Sequence, residues 1–244
     1  MILTVENVSK TFGSLKALNN VSVELEKGGI VGVIGPNGAG KTTLFNVISG
    51  VFHPDSGKLT LEGRDITRDS THRIVRMGIA RTFQIPKPFS SLTVLQNVAI
   101  GATYGKGAYK DTLKAEAKAR EVIGFVGLSL KETTQANELT LPELRRLEMA
   151  RALATEPTLL LLDEVMAGLN PSEVKQAIAL IQKIRSELGI TILVVEHVMQ
   201  AIMALSDRVI VLNQGSKLAE GVPSEIAHDI SVIEAYLGEE YADS

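Results

Sequence analysis

The sequence predicts an α/β fold: a mostly parallel sheet covered by helices, with a helical lobe inserted into it. Three observations carry the prediction. Short apolar runs alternate with segments of helical periodicity at both ends of the chain. A glycine-rich turn follows one of those runs at once and opens into a helical pattern, Thr42-Thr43-Leu44-Phe45-Asn46-Val47-Ile48. From about residue 92 to 155 the texture becomes helical, which marks an insertion into the sheet.

In chain order, residues 1–34 hold Ile2, Leu3 and Val5, then Val21, Val23 and Leu25, then Ile30, Val31, Val33 and Ile34, with Asn19-Asn20 and glycines between them. Such punctuated alternation reads as strands and turns, because successive strand side chains face opposite ways. Residues 57–62 and 79–83 read as two further strands. Residues 114–120, rich in Ala, Lys and Glu, run on into Val122, Ile123, Phe125 and Val126 at helical spacing. Gly101, Gly105 and Gly107 read as a flexible break just before that helix. Residues 141–155 read as another helix, 159–162 as a buried strand, 174–188 as a helix, and 191–195 and 209–212 as strands. The expected division is a core of residues 1–84 and 157–244, and a helical subdomain of residues 85–156, in one domain.

Composition narrows the function classes. Of 244 residues, 28 are acidic and 25 basic, so nothing suggests the concentrated basic patch of a nucleic-acid partner. There is no cysteine, which removes disulfides and thiolate metal sites and fits a reducing cytoplasm. No apolar run approaches the ~18 residues of a membrane span. Met1-Ile2-Leu3-Thr4-Val5-Glu6 alternates and is acidic, unlike a targeting segment. A membrane role is therefore expected to come through a partner.

The chemistry begins at Gly35-Pro36-Asn37-Gly38-Ala39-Gly40-Lys41-Thr42, which matches G-x-x-x-x-G-K-[ST] between a strand and a helix. Glycines let backbone N–H groups close around phosphate oxygens, and the helix N-terminus adds its positive end. Lys41 is expected to reach the β- and γ-phosphates of ATP, with the Thr42 hydroxyl on Mg²⁺. Such a loop needs an acidic element opposite. Leu159-Leu160-Leu161-Leu162-Asp163-Glu164 supplies one at a strand's C-terminal end, where α/β ligands bind. Asp163 is expected to hold Mg²⁺, and Glu164 to act as general base toward water.

With these elements in order, essentially the whole chain resembles the ABC (ATP-binding cassette) ATPases. The resemblance implies a P-loop NTPase of the ABC type: a mostly parallel core sheet, an N-terminal antiparallel β subdomain and an inserted helical lobe. It implies nucleotide contacts from Gly35 through Thr43, adenine stacking by Phe12, a link from Gln84 to Mg²⁺ and water, and a γ-phosphate contact by His197. The competing reading of Phe12 is a core aromatic of the N-terminal sheet. His53, His72 and His228 are read as solvent-facing.

Two stretches depart from the family pattern. Where the family carries Leu-Ser-Gly-Gly-Gln, this chain has Leu139-Thr140-Leu141-Pro142-Glu143. In family dimers that motif faces the γ-phosphate on the opposite subunit. Thr140 keeps a hydroxyl for it, Pro142 removes an N–H, Leu141 adds bulk, and Glu143 brings a carboxylate toward phosphate. Thr140-x-x-Glu143 is also a capping box, so an intact helix with a weakened contact across the dimer is expected. The second departure is Asn170, in Ala167-Gly168-Leu169-Asn170, where many members carry Asp.

Within the family the chain is most similar to the ATPases of branched-chain amino-acid importers. Gly63-Arg64-Asp65-Ile66-Thr67, Gly78-Ile79-Ala80-Arg81-Thr82-Phe83-Gln84, Leu92-Thr93-Val94-Leu95-Gln96-Asn97-Val98, Asn170-Pro171 and the stretch from Val232 to Gly238 carry that similarity. A lipopolysaccharide-export ATPase shares much of this texture. The implied partners are transmembrane permease subunits, a second ABC ATPase subunit of the same or a sister chain and, indirectly, a solute-binding protein. The implied place is the cytoplasmic face of the inner membrane, peripheral through those partners. A soluble ABC protein of repair or translation would bring paired cassettes or basic arms, and a small-molecule kinase an acceptor pocket and lid. None of these is read here.

Overall fold

Successive residues of the central strands are buried on opposite faces of one sheet, and each face supports its own core. In β3 (Ile30–Ile34), β7 (Leu159–Asp163), β8 (Thr191–Val195) and β9 (Arg208–Asn213), Ile34, Leu160, Val194 and Val211 face one core. Their neighbours Val33, Leu161, Val195 and Leu212 face the other. A strand covered on both sides needs an unbroken apolar run, which explains the four consecutive leucines of β7. The computed structural model describes residues 1–240, with side chains as far as Tyr236. Leu237 and Gly238 of the C-terminal stretch lie beyond the residues whose side chains are described.

Adding β6 (Ile79–Arg81) and β10 (Ser216–Gly221) gives a six-stranded sheet of order β10-β9-β3-β8-β7-β6. Every pairing is parallel except the β9–β10 hairpin at one edge. A second, antiparallel sheet of order β2-β1-β4-β5 comprises β1 (Leu3–Phe12), β2 (Leu15–Leu25), β4 (Ser56–Leu61) and β5 (Arg64–Asp65). Together with α1 (Lys41–Ile48) and α2 (Thr71–Met77) it closes the core of Val33, Leu161 and Phe45. The other core is closed by α3 (Val94–Tyr104), α4 (Thr112–Phe125), α5 (Leu141–Leu153), α6 (Pro171–Leu188) and α7 (Met199–Leu205).

Of the three glycines read as a break, Gly105 and Gly107 do lie in the connection between α3 and α4, whereas Gly101 does not. Gly101 lies within α3, and a Cβ there would stand 2.3 Å from the carbonyl oxygen of Arg151. At Gly105 a Cβ would meet Thr155 Cα at 2.3 Å, and at Gly107 Glu156 Oε2 at 2.3 Å. Gly101 and Gly105 approach the backbone of Arg151 and Thr155 directly, whereas the contact at Gly107 is with a side chain. The strand expected at residues 79–83 ends at Arg81. Elements after Asn213 follow as β10, α8 (Pro223–Ile226) and α9 (Ile230–Glu240), too short or too exposed to show a sequence period. His53, His72 and His228 are exposed, as expected. Among the described residues no helix is long and apolar enough to cross a membrane.

Candidate functional site

Four of the five parallel strands, β3, β6, β7 and β8, release their chains into the site at the same end of the sheet, the end at which α/β proteins hold ligands. The glycine-rich loop leaves β3, Gln84 follows β6, Asp163 ends β7, and His197 follows β8. The loop is locked by close approach. A Cβ at Gly35 would stand 2.0 Å from the Leu212 carbonyl oxygen, and one at Gly40 would stand 2.6 Å from that of Ala17. Gly40, at φ 103°, caps α1, so the N–H groups of the first turn open toward the loop. Asn37, Gly38 and Thr42 are exposed there, Gly40 and Thr43 are partly exposed, and Pro36 and Ala39 are buried beneath. Lys41 folds back over the loop. Its Nζ donates to the carbonyls of Gly35 at 2.5 Å and Pro36 at 2.8 Å.

Glu164 is the focus of the facing side. His197 Nε2 lies 2.7 Å from its Oε1, and Gln84 Nε2 donates to its Oε2 at 2.6 Å. Each carboxylate oxygen thus has its own positioned partner. The Glu164 backbone has φ 49°, a left-handed conformation uncommon outside glycine, and its N–H donates to Val195 at 2.9 Å. That turn aims the side chain toward both partners. Asp163, buried beside it, accepts from Arg81 NH2 at 2.7 Å.

Three residues that sequence reasoning did not single out support this arrangement. Arg81 joins Asp163 to α1 by donating to Asn46 Oδ1 at 2.6 Å, with its guanidinium between the rings of Phe45 and Phe83. Arg145 of α5 donates to the carbonyls of Gln84 at 2.7 Å and Ala167 at 3.2 Å, tying together the loops on either side of Glu164. Glu196 lies behind the site and accepts the Met166 N–H at 2.8 Å. Burial pushes its carboxyl up to about 7, the Met166 hydrogen bond opposes the shift, and the Glu164 charge adds to it. Arg81 ends a short apolar strand, Glu196 directly follows one, and Arg145 is one of five charged residues of α5, so nothing in the sequence names their distant partners.

Other expected residues stand elsewhere. Phe12 is at the surface, 40% exposed, with its ring edge-on to Phe52 at 5.1 Å, so it is not a core aromatic. Thr140 is not brought to this cluster by its own chain. Its N–H and hydroxyl donate to Glu143 Oε2 at 2.8 and 3.0 Å, and Glu143 also pairs with Lys131 at 3.3 Å. These bonds, the Thr140 N–H first, hold the Glu143 carboxyl below its usual range. The carboxylate read as facing an arriving phosphate is therefore occupied in its own helix turn. Asn170 caps α6, accepting from Ser172 at 2.9 Å and Glu173 at 3.0 Å.

The donors present fit a magnesium nucleotide. Backbone N–H groups with a lysine suit phosphate, and the hydroxyl of Thr42, the carboxylate of Asp163 and the amide oxygen of Gln84 are hard oxygen ligands. Gln84 meets Glu164 through its nitrogen, so the oxygen is the group it brings to a cation.

The chain matches two family profiles: ABC transporter over residues 18–167, and Branched-chain amino acid ATP-binding cassette transporter over residues 216–242. It is 41% identical to the high-affinity branched-chain amino acid transport ATP-binding protein LivG of Salmonella typhimurium, covering 98% of each chain. It is 39% identical to BraF of Pseudomonas aeruginosa, a protein of the same description, again over 98% of each. A solved nucleotide-free ATP-binding cassette from an ABC transporter superposes with a TM-score of 0.87 at 34% identity, covering 96% of this chain and 98% of that one. A dimeric cassette bound to ADP and phosphate matches with a TM-score of 0.80 at 25% identity, covering 91% of this chain and 98% of that one.

Proposed function

This chain belongs to the ABC transporter family and is an ATPase coupled to transport, and from that premise we propose that it powers a branched-chain amino-acid importer. The cargo reading is supported by similarity to amino-acid transport ATPases over nearly the full length and by the matching C-terminal segment. The observation that carries the catalytic reading is the convergence of Gln84 and His197 on Glu164, opposite the glycine-rich loop.

In the proposed mechanism the loop from Gly35 to Thr43 surrounds the phosphates of ATP, and Lys41 exchanges its carbonyl partners for β- and γ-phosphate oxygens. Phe12 stacks on adenine. Thr42, Asp163 and Gln84 hold Mg²⁺, which when bound neutralises charge on the phosphates. Glu164 takes a proton from water as the water oxygen bonds to the γ-phosphorus and the bond to the bridging oxygen of ADP breaks. His197 donates to a γ-phosphate oxygen, and Gln84 keeps Glu164 and the water aligned. Arg81, already paired with Asp163, leaves that carboxylate fixed in direction rather than free to rotate.

A second ATPase subunit presents its Thr140 region to this nucleotide, and residues 85–156 act as the lobe that moves with it. Permease subunits dock near residues 85–97, which places the chain peripherally on the cytoplasmic face of the inner membrane, with a solute-binding protein beyond. Deleting the gene and measuring uptake of labelled leucine, isoleucine and valine tests the cargo. Uptake should fall to background and return with the wild-type gene but not with Glu164→Gln. Unchanged uptake of all three would remove the cargo reading.

A further inference from the structure

Gly35, the first residue of the glycine-rich loop, is held from a part of the chain remote in sequence. Its N–H donates to the hydroxyl oxygen of Tyr236, on α9, at 2.8 Å. Its carbonyl accepts from Lys41 at 2.5 Å. Both polar groups of this residue are therefore engaged, one by the C-terminal helix and one by the lysine expected to move onto phosphate. Gly35 is also where the backbone leaves β3 at φ 146°, wedged against the Leu212 carbonyl, so it is the pivot between a rigid strand and the loop.

The helix that carries Tyr236 is seated rather than loosely appended. Val232 is buried in the core shared with Ile34 and Ile202, and Tyr236 packs against that core. Ile34, Met203, Ile226 and Val232 line the apolar cleft beside the tyrosine ring. A phenol suits the position because its flat ring crosses apolar surroundings and carries one polar atom at the far end. Without that atom, a buried N–H at the start of the loop would lose its acceptor, which is costly where water does not replace it.

We propose that Tyr236 is a positioning residue for ATP binding: its hydroxyl fixes Gly35 and so holds the phosphate loop in the shape that receives nucleotide. The C-terminal helix is thereby part of the nucleotide site although it touches no substrate. The inference rests on residues 35–42 being the phosphate loop, and Lys41→Ala serves as the control for that assumption.

The test uses the full chain, with equilibrium binding of a fluorescent ATP analogue and steady-state hydrolysis of Mg-ATP. Tyr236→Phe keeps the ring and removes only the hydroxyl. It should weaken analogue binding and raise the KM for ATP by about three- to tenfold, the size of one lost hydrogen bond. kcat should change less than KM, and Tm should stay near the wild-type value. In a ¹⁵N-labelled sample the Gly35 amide resonance should move, which a purely structural role of the ring would not cause. Tyr236→Ala should weaken binding further and lower Tm as well. If Tyr236→Phe binds and hydrolyses as wild type while Lys41→Ala does not bind, the proposal is overturned and the phosphate-loop reading stands. If Lys41→Ala binds as wild type, the phosphate-loop reading fails and the proposal fails with it.

Discussion

At the scale of single residues, the site is a set of charges each held by partners within hydrogen-bond distance. Lys41 folds onto carbonyls of its own loop, so the cradle keeps its cation close before phosphate arrives. Lys41→Ala should weaken nucleotide binding by about ten- to hundredfold, since charge-assisted bonds are worth ~1.5–3 kcal/mol. Titration calorimetry reads this, and unchanged affinity would contradict it. Glu196 gives a pH-dependent prediction. Its folded carboxyl is raised to about 7, above the ordinary 4.5, so the folded state binds its proton more tightly than the unfolded state. Its cost to stability is then absent below about pH 4.5, grows as pH rises toward 7 and is fully present above that. Glu196→Gln keeps an oxygen for the Met166 N–H and should raise stability by on the order of 1–3 kcal/mol at pH 8 but little at pH 5. Denaturant melts at the two pH values check it, and equal effects at both would contradict the assignment. The loop, Asp163 and Glu164 were legible in the sequence because contiguous motifs mark them, a glycine-rich run and an apolar strand ending in two carboxylates. Arg81, Arg145 and Tyr236 were not, because their partners are brought close only by the fold.

At the scale of elements, α5 shows how one helix start can serve its own fold at the expense of another contact. Thr140 and Glu143 cap the helix, Pro142 sits in its first turn, and Leu141 reaches toward Gly168, where an added Cβ would stand 3.1 Å from its Cδ2. These groups are committed within the chain, which supports a weakened contact to phosphate on a second subunit. The triple change Leu141→Gly, Pro142→Gly and Glu143→Gln should raise ATP turnover or ATP-driven dimerisation, while costing about 0.5–2 kcal/mol of stability through the lost cap. Equal turnover and dimerisation in the triple variant and wild type, alone and in the complex, would show that the departure is tolerated. Gly101 makes the opposite point. Read in sequence it looked like flexibility, whereas it is the place where α3 meets α5. Gly101→Ala forces a methyl against the Arg151 carbonyl and should destabilise the chain by about 1–3 kcal/mol, measurable as a drop in Tm. The parallel strands were legible because burial on both faces leaves continuous apolar runs. β10 and α8 were not, since β10 has no fully buried position to set an alternation and the four residues of α8 make about one turn.

At the scale of the whole molecule, the proposed path from nucleotide to partner runs through the segment after Gln84. Lys87 is tied to α5 by its N–H to Glu148 at 3.0 Å and its carbonyl to Arg151 at 2.8 Å, while Phe83, Ile85 and Phe89 remain exposed beside it. A shift of Gln84 would therefore reach an apolar surface directly. Since the chain has no cysteine, single cysteines placed at residues 85–97 should crosslink to a transmembrane subunit without background, and crosslinks that map only to other proteins would remove the docking assignment. The central claim is that hydrolysis depends on Glu164 as the base held between Gln84 and His197. It is tested most directly by measuring phosphate release from saturating Mg-ATP by the wild type and Glu164→Gln, whose amide keeps the shape of the site. Phosphate release should fall by at least about hundredfold, the range expected for removing a general base, with ATP still bound. Turnover within about twofold of wild type, far inside that range, would place the base elsewhere.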